Sequence, residues 1–177
     1  MKYLVMTEGD CEKALLDLLL SRGLFKYSYD DLVYQEVFHA RQFDNRILEM
    51  INQLPKDEKL SVVRVGDKLS DKLKIPKDLK QRIVGITKVC TKPEFEILHI
   101  IHERKFDDYL KDKSSLTPSE YYRGLNRGYR KTYGVNQHYF SAFKDGDLIA
   151  LLKDYDKKRK RTHGKDELSL TDLLKQD

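Results

Sequence analysis

Two short apolar runs in this chain each end in an acidic turn. Lys2-Tyr3-Leu4-Val5-Met6 is followed by Thr7-Glu8-Gly9-Asp10-Cys11-Glu12, and Leu60-Ser61-Val62-Val63-Arg64-Val65 by Gly66-Asp67, with Asp71 four residues further on. Carboxylates gathered without matching cations repel one another unless a cation joins them, and hard oxygen ligands favour Mg²⁺ or Mn²⁺. Asp10 and Glu12 also suit the positive end of a helix. Asp67 can cap a helix, with Asp71 pairing with a neighbouring lysine such as Lys68, Lys72 or Lys74. Glu8 fits such a role poorly, and the four-residue spacing repeats at two separate strand ends. The repetition favours a metal site built on Glu8, Glu12, Asp67 and Asp71. A third acidic stretch, Thr91-Lys92-Pro93-Glu94-Phe95-Glu96, offers Glu96 or Glu94 as a further ligand.

Alternating strand and helix signals supply the scaffold. Strands are predicted over Lys2–Met6, Leu32–His39, Leu60–Val65 and Arg82–Thr91. A helix is predicted over Asp10–Arg22, where Ala14, Leu15, Leu18 and Leu19 recur at helical spacing before Gly23 stops it. Another spans Asp44–Leu54, with Ile47, Leu48 and Ile51 before Pro55. Four strands with intervening helices imply an α/β fold with a parallel sheet. In such a sheet the carboxyl ends of neighbouring strands open onto one crevice, where residues distant in sequence converge. Further helices are predicted from Pro93, from Pro118, and from Gly146 to about Tyr155.

A length of 177 residues suits one ordinary core with a small appendage, expected as a core over residues 1–104 and a helical, basic extension over 105–177. With 36% charged and 40% hydrophobic residues, the chain reads as folded and soluble rather than disordered. It has no apolar run long enough to span a membrane and no signal-like N-terminus, so a cytoplasmic location and no membrane partner are expected. Cys11 and Cys90 lack the spacing of a zinc site and are read as packed thiols. His99 and His102, three apart on an Ile/Leu-rich stretch, match no zinc-protease pattern and are likewise read as packed or partly exposed.

The net charge of +5 is lopsided. Residues 1–103 carry 17 basic and 17 acidic side chains, whereas residues 104–177 carry 17 and 12. An acidic crevice beside a basic surface suits an enzyme whose substrate is a polyanion. Within the basic half, Arg123, Arg127, Tyr129, Arg130, Lys131 and Tyr133, with Tyr121 and Tyr122, interleave rings with cations. That mixture can stack unpaired bases while holding their phosphates. The alternative is that the tyrosines pack helices onto the core while the cations face water. The run Lys157-Lys158-Arg159-Lys160-Arg161 reads as a solvated or phosphate-contacting end.

The strand followed by Glu8-Gly9-x-x-Glu12, the later strand followed by Asp67, and the segment Lys92-Pro93-Glu94-Phe95-Glu96-Ile97-Leu98 leading to His102 resemble the Toprim-fold nucleases. Within that group the likeness is to RloB-like proteins and to the Toprim part of OLD-family nucleases, and it covers about residues 1–104. The resemblance implies a Toprim-like parallel sheet flanked by helices. It also implies divalent-metal-dependent cleavage of phosphodiesters, with Glu8, Glu12 and Asp67 as metal ligands and Glu96 beside them. It further implies a role in antiviral defence, beside a separate ATPase, since this chain has no phosphate-binding loop of the G-x-x-x-x-G-K-[S/T] kind. The sequence departs from the family at Asp67-Lys68-Leu69, where an Asp-x-Asp pair is typical.

The function expected is therefore hydrolysis of nucleic acid, RNA ahead of DNA, with Mg²⁺ or Mn²⁺ as cofactor and Lys68 available to neutralise transition-state charge. The alternative is a binding module that keeps the fold without catalysis, and a receiver-like phosphotransfer domain fits the Glu8-Gly9-Asp10 turn less well.

Overall fold

The computed structural model describes residues 1–67, 72–92, 94–159 and 168–176. Its centre is a four-stranded sheet of β1 (Lys2–Thr7), β2 (Leu32–His39), β3 (Leu60–Gly66) and β4 (Ile83–Cys90) in the order β2-β1-β3-β4, every neighbouring pair parallel. The chain leaves β1 for β2 on one side and then returns past β1 to place β3 on the other. The direction of winding therefore reverses between β1 and β3, the place where open α/β sheets leave a crevice at the carboxyl ends.

Strand alternation divides the core into two layers. Val5, Val63, Val65 and Val89 face one apolar cluster, which includes Leu15, Leu16 and Leu19 of helix α1 (Asp10–Ser21). Leu4, Met6, Leu60 and Val62 face the other, which is closed by Ile47 and Ile51 of helix α2 (Asn45–Gln53). Asp44 caps α2 by accepting from the Ile47 amide at 2.8 Å. After α1 the chain turns at Gly23, whose φ of +67° is the left-handed conformation that a side chain disfavours.

β2 carries the main irregularity. Tyr3 and Val5 of β1 face Leu32 and Val37, so β2 bulges between them, with Tyr34 and Gln35 at φ of 51° and 57°. The bulge absorbs the polar residues within an otherwise apolar strand and returns Val37 and Phe38 to the core.

The helices beyond β4 pack on the α1 side of the sheet. They are α3 (Ile97–His102), α4 (Phe106–Asp112), α5 (Pro118–Leu125), α6 (Tyr133–Ser141) and α7 (Asp145–Lys158). Tyr122, Phe140, Leu148, Leu152 and Tyr155 share one buried cluster with α1 and α3. The predicted extension thus completes the principal core. The tail returns as well, with Leu170 and Leu173 buried and the Lys26 amide bonded to the Leu173 carbonyl at 2.9 Å.

Two expectations need correction. α3 begins at Ile97 rather than at Pro93, which lies outside the described residues, and Glu94 instead accepts from the Ser119 amide at the start of α5 at 3.0 Å. Within the basic run, of which Lys160 and Arg161 lie outside the described residues, the Arg159 side chain is buried rather than solvated, bonded to Asp156 at 2.9 Å and to the Cys90 carbonyl at 3.3 Å. Within the expected helical extension, helices also form over Phe106–Asp112 and Tyr133–Ser141, whose positions were not individually predicted. No described helix is long and apolar enough to cross a membrane.

Candidate functional site

Glu8 is the first residue beyond β1, and Asp67 the first beyond β3. Parallel register aligns Thr7 with Val65, so both acidic residues arrive at the same edge, on either side of the winding reversal. Glu8 extends the ladder by donating its amide to the Val65 carbonyl at 3.0 Å, and its side chain then lies across the end of β3. The Asp67 amide donates to Glu8 Oε2 at 3.1 Å. Gly66 permits this approach: a Cβ there would sit 2.2 Å from Glu8 Oε2 and 2.4 Å from its Cγ. The carboxyl group of Asp67 forms no ion pair among the described residues.

Two basic residue types at this edge, an arginine and a histidine, had no signal in the motif. Arg64 of β3 is buried, with Nη2 3.8 Å from Glu8 Oε1 and donating to the Arg41 carbonyl at 3.2 Å. His39 closes β2, with Nδ1 3.0 Å from the Asp10 carboxylate and Nε2 3.2 Å from the Glu8 carbonyl. In sequence Arg64 looks like a stray polar residue within a strand, and His39 like a strand terminus.

Glu12 and Glu96 belong to a different set of contacts, beneath the helices. Glu12 is 6% exposed; its Oε1 accepts from the Thr91 hydroxyl at 3.2 Å, and its buried Oε2 has no hydrogen-bond partner among the described residues. Desolvation pushes its carboxyl above the ordinary range, and the charge of Glu96 adds to that, against the opposing pull of hydrogen bonds and Lys131. Glu96 is fully buried and accepts from the Tyr129 hydroxyl at 3.3 Å and from Lys131 Nζ at 3.1 Å to one oxygen and 3.2 Å to the other. Burial pulls the Lys131 ammonium down, but the charge and hydrogen bond of Glu96 outweigh it and hold the lysine protonated.

The network continues inward through Asn136, which donates to Cys11 Sγ at 3.2 Å and accepts from His99 Nε2 at 2.9 Å. His99 is enclosed by Phe95, Tyr122, Tyr129, Tyr139 and Phe140. Burial lowers its pKa to about 4 and raises that of Cys11 to about 12, so imidazole and thiol are both neutral. The packed reading of both residues agrees with these positions.

The basic segment divides in the same way. Arg123, Arg127 and Arg130 are exposed, and Lys131 keeps 42% of its side chain accessible while tethered to Glu96. Tyr133 is half-buried, donating to Asp17 at 2.9 Å beneath Lys13. Tyr129, at 4% exposure, lies within the core, so the expectation that its ring stacks on bases gives way to a packing role. Asp71 and Lys68 lie outside the described residues.

Among the described residues no three His, Cys, Asp or Glu side chains gather closely enough to enclose a cation. Glu8, Glu12 and Asp67 are thus not gathered into one such group, and the fourth predicted carboxylate, Asp71, lies outside the described residues. Glu8 and Asp67 stay adjacent at the β1/β3 edge through the bond from the Asp67 amide to Glu8 Oε2, and Mg²⁺ commonly takes only one or two protein carboxylates, completing its shell from water and substrate phosphate. No protein-family model, curated protein or solved structure matches the chain.

Proposed function

We propose that the chain is a divalent-metal-dependent hydrolase of nucleic-acid phosphodiesters, working at the β1/β3 edge. The observation that carries this reading is the contact between Glu8 and Asp67 across the winding reversal, at the 3.1 Å amide bond. Glu8 and Asp67 would hold Mg²⁺ or Mn²⁺. When bound, the ion supplies Lewis-acid polarisation of a phosphoryl oxygen and a more acidic bound water. Lys131, fixed on Glu96, and the exposed Arg123, Arg127 and Arg130 would hold the substrate backbone. RNA stays ahead of DNA through Tyr133, since Tyr129 is enclosed. The Toprim-like identity, the defence role and a separate ATPase partner are additions from the sequence resemblance, with which an all-parallel four-stranded sheet is consistent.

Cleavage of single-stranded RNA, single-stranded DNA and duplexes in Mg²⁺ or Mn²⁺ tests the reading. Glu8→Gln and Asp67→Asn each keep shape while removing an anionic ligand, and each is expected to lower cleavage by at least about 100-fold with the melting temperature preserved. Undiminished cleavage by either folded variant removes that residue from the site.

A second reading, a nucleic-acid-binding module without catalysis, is favoured by one specific feature. Both Glu8 oxygens already have protein neighbours, the Asp67 amide and Arg64. Retained binding with no cleavage on any substrate, in the presence of either metal, selects it.

A further inference from the structure

We propose that the crossover from β3 to β4 carries a track for the nucleic-acid backbone, built on Arg41, Lys72 and Lys74, that brings phosphates to the β1/β3 edge from the α2 side of the sheet. The inference rests on the reading above for where the track leads, and it adds a surface that neither the acidic turns nor the Tyr/Arg-rich segment marks. Parallel pairing obliges the chain to leave β3 at the carboxyl edge and to re-enter the sheet at the opposite end, where the Leu60 amide donates to the Arg82 carbonyl at 2.8 Å. The crossover makes that passage over the α2 layer, with Leu73, Ile75 and Leu79 packed in the cluster that holds Leu4, Met6, Leu60 and Val62.

The residues between these apolar anchors turn the other way. Exposure alternates from Lys72 to Ile75, so Lys72 and Lys74 face solvent while Leu73 and Ile75 pack. Gln42, in the loop after β2, clamps this stretch: its Nε2 donates to the Lys72 carbonyl at 3.1 Å, and its Oε1 accepts from the Lys74 amide at 2.9 Å. The loop is itself fixed at the carboxyl edge, since Ala40 donates its amide to the Thr7 carbonyl at 3.0 Å. Ala40 and Phe43 pack on the same apolar cluster, and Arg41 between them is exposed. Two segments that leave the sheet at the edge of Glu8 and Asp67 are thus bonded to each other, and each presents cations outward.

The side chains of Arg41, Lys72, Lys74, Lys77 and Lys80 form no ion pair or hydrogen bond among the described residues. The carboxylates of the same stretches, 40–44 and 72–80, are Asp44, which accepts from the Ile47 amide, and Asp78, which lies beyond Lys77. Lysines that serve solubility alone need no fixed spacing. Here a side-chain clamp holds Lys72 and Lys74 two residues apart along extended backbone, roughly 6–7 Å from one to the next. Cations held at an interval suit a polyanion whose charges also recur at an interval, and contacts to backbone phosphates position a strand without reading its sequence. An acidic protein surface offers no such regular row.

Fluorescence anisotropy of labelled single-stranded and duplex RNA and DNA with the full chain, in EDTA and at several salt concentrations, tests the track without requiring cleavage. Arg41→Gln/Lys72→Gln/Lys74→Gln is expected to keep its melting temperature, to bind at least about tenfold more weakly, and to lower the slope of log affinity against log salt by about 2. Lys80→Gln/Lys153→Gln/Lys175→Gln removes the same charge from exposed lysines at the far end of the crossover, on α7 and in the tail, and is expected to change affinity by less than about twofold. Gln42→Ala keeps every charge and is expected to weaken binding about threefold with the salt slope and melting temperature retained, because the lysines lose their fixed spacing. Wild-type affinity and slope in the first variant overturn the proposal, as does an equal loss in the second, which would assign the effect to net charge alone. Full affinity in Gln42→Ala overturns the clamp, and binding of polyglutamate in place of nucleic acid through the same three residues overturns the choice of partner. Weakened binding in the first variant beside a wild type that cleaves nothing in Mg²⁺ or Mn²⁺ upholds the track and sinks the cleavage reading, so the two failures are distinguishable.

Discussion

Glu8 reaches across the end of its neighbouring strand to accept the amide of Asp67 at 3.1 Å, so the first residue beyond β1 is fastened to the first residue beyond β3. Parallel register brings both strands to the same edge, and the missing side chain of Gly66 leaves room for the crossing. Sequence separation of 59 residues is thereby reduced to one hydrogen bond, at the position where the winding of the sheet reverses.

Gly66→Ala is expected to displace the Glu8 side chain, because the new methyl would lie 2.2 Å from its carboxyl oxygen. The cost to stability should be on the order of 1–3 kcal/mol, as for other overpacked sites. Paired with Glu8→Ala the cost should largely vanish. A double-mutant cycle in chemical denaturation measures the coupling, and additive effects would mean that Gly66 does not accommodate Glu8.

Glu12 binds its proton more tightly in the native chain than in the unfolded one, because burial raises its pKa above 4.5. Its contribution therefore favours the folded state in acid and is lost as pH rises through the raised pKa. Glu12→Gln removes that penalty, so the variant should melt at a higher temperature than the wild type at pH 8 and at nearly the same temperature at pH 4.5. Equal melting temperatures at pH 8 in metal-free buffer would show that Glu12 carries no uncompensated charge.

His99 works in the opposite sense. Its pKa is lowered from 6.5 to about 4, so between those values the unfolded chain takes up a proton that the native chain refuses, and stability falls as pH falls across that window. His99→Leu leaves the Asn136 carbonyl without its donor and should be destabilised at pH 7 by about 1–3 kcal/mol. It should nonetheless lose less stability than the wild type between pH 6.5 and 4. Differential scanning calorimetry across that range gives the two slopes, and identical slopes contradict the assignment.

Arg123, Arg127 and Arg130 are exposed, whereas Lys131 is tethered to Glu96. Replacing the three arginines together with Gln should weaken nucleic-acid binding and lower the slope of log affinity against log salt by about 2, since fewer counterions are released. Filter binding at several salt concentrations measures it. An unchanged slope returns these residues to a solvated surface.

Much of the scaffold was legible because its strands are short apolar runs closed by breakers. Leu32–His39 was predicted with the bounds observed for β2, and the ends of α1 and α2 differ from expectation by a residue or so. α4 and α6 were not legible: only Tyr109 of α4 is buried, and α6 includes Gly134 and Val135 with no sustained apolar stripe, so tertiary packing decides both. At the edge, the placement of Glu8 and Asp67 followed from strand ends alone. The inward turn of Glu12 and Glu96 did not, because it depends on Thr91, Tyr129 and Lys131, which only the fold brings near. Arg64 escaped notice for the same reason: its partner is a neighbour across the sheet and not along the chain.

The central claim is that Glu8 and Asp67 hold a divalent ion. Anomalous scattering from a crystal soaked in Mn²⁺ tests it most directly. The account predicts a peak at the β1/β3 edge, roughly 2.0–2.3 Å from carboxylate oxygens of both residues. A saturated crystal that shows no peak there, with Glu8 still closed onto the Asp67 amide, would contradict it.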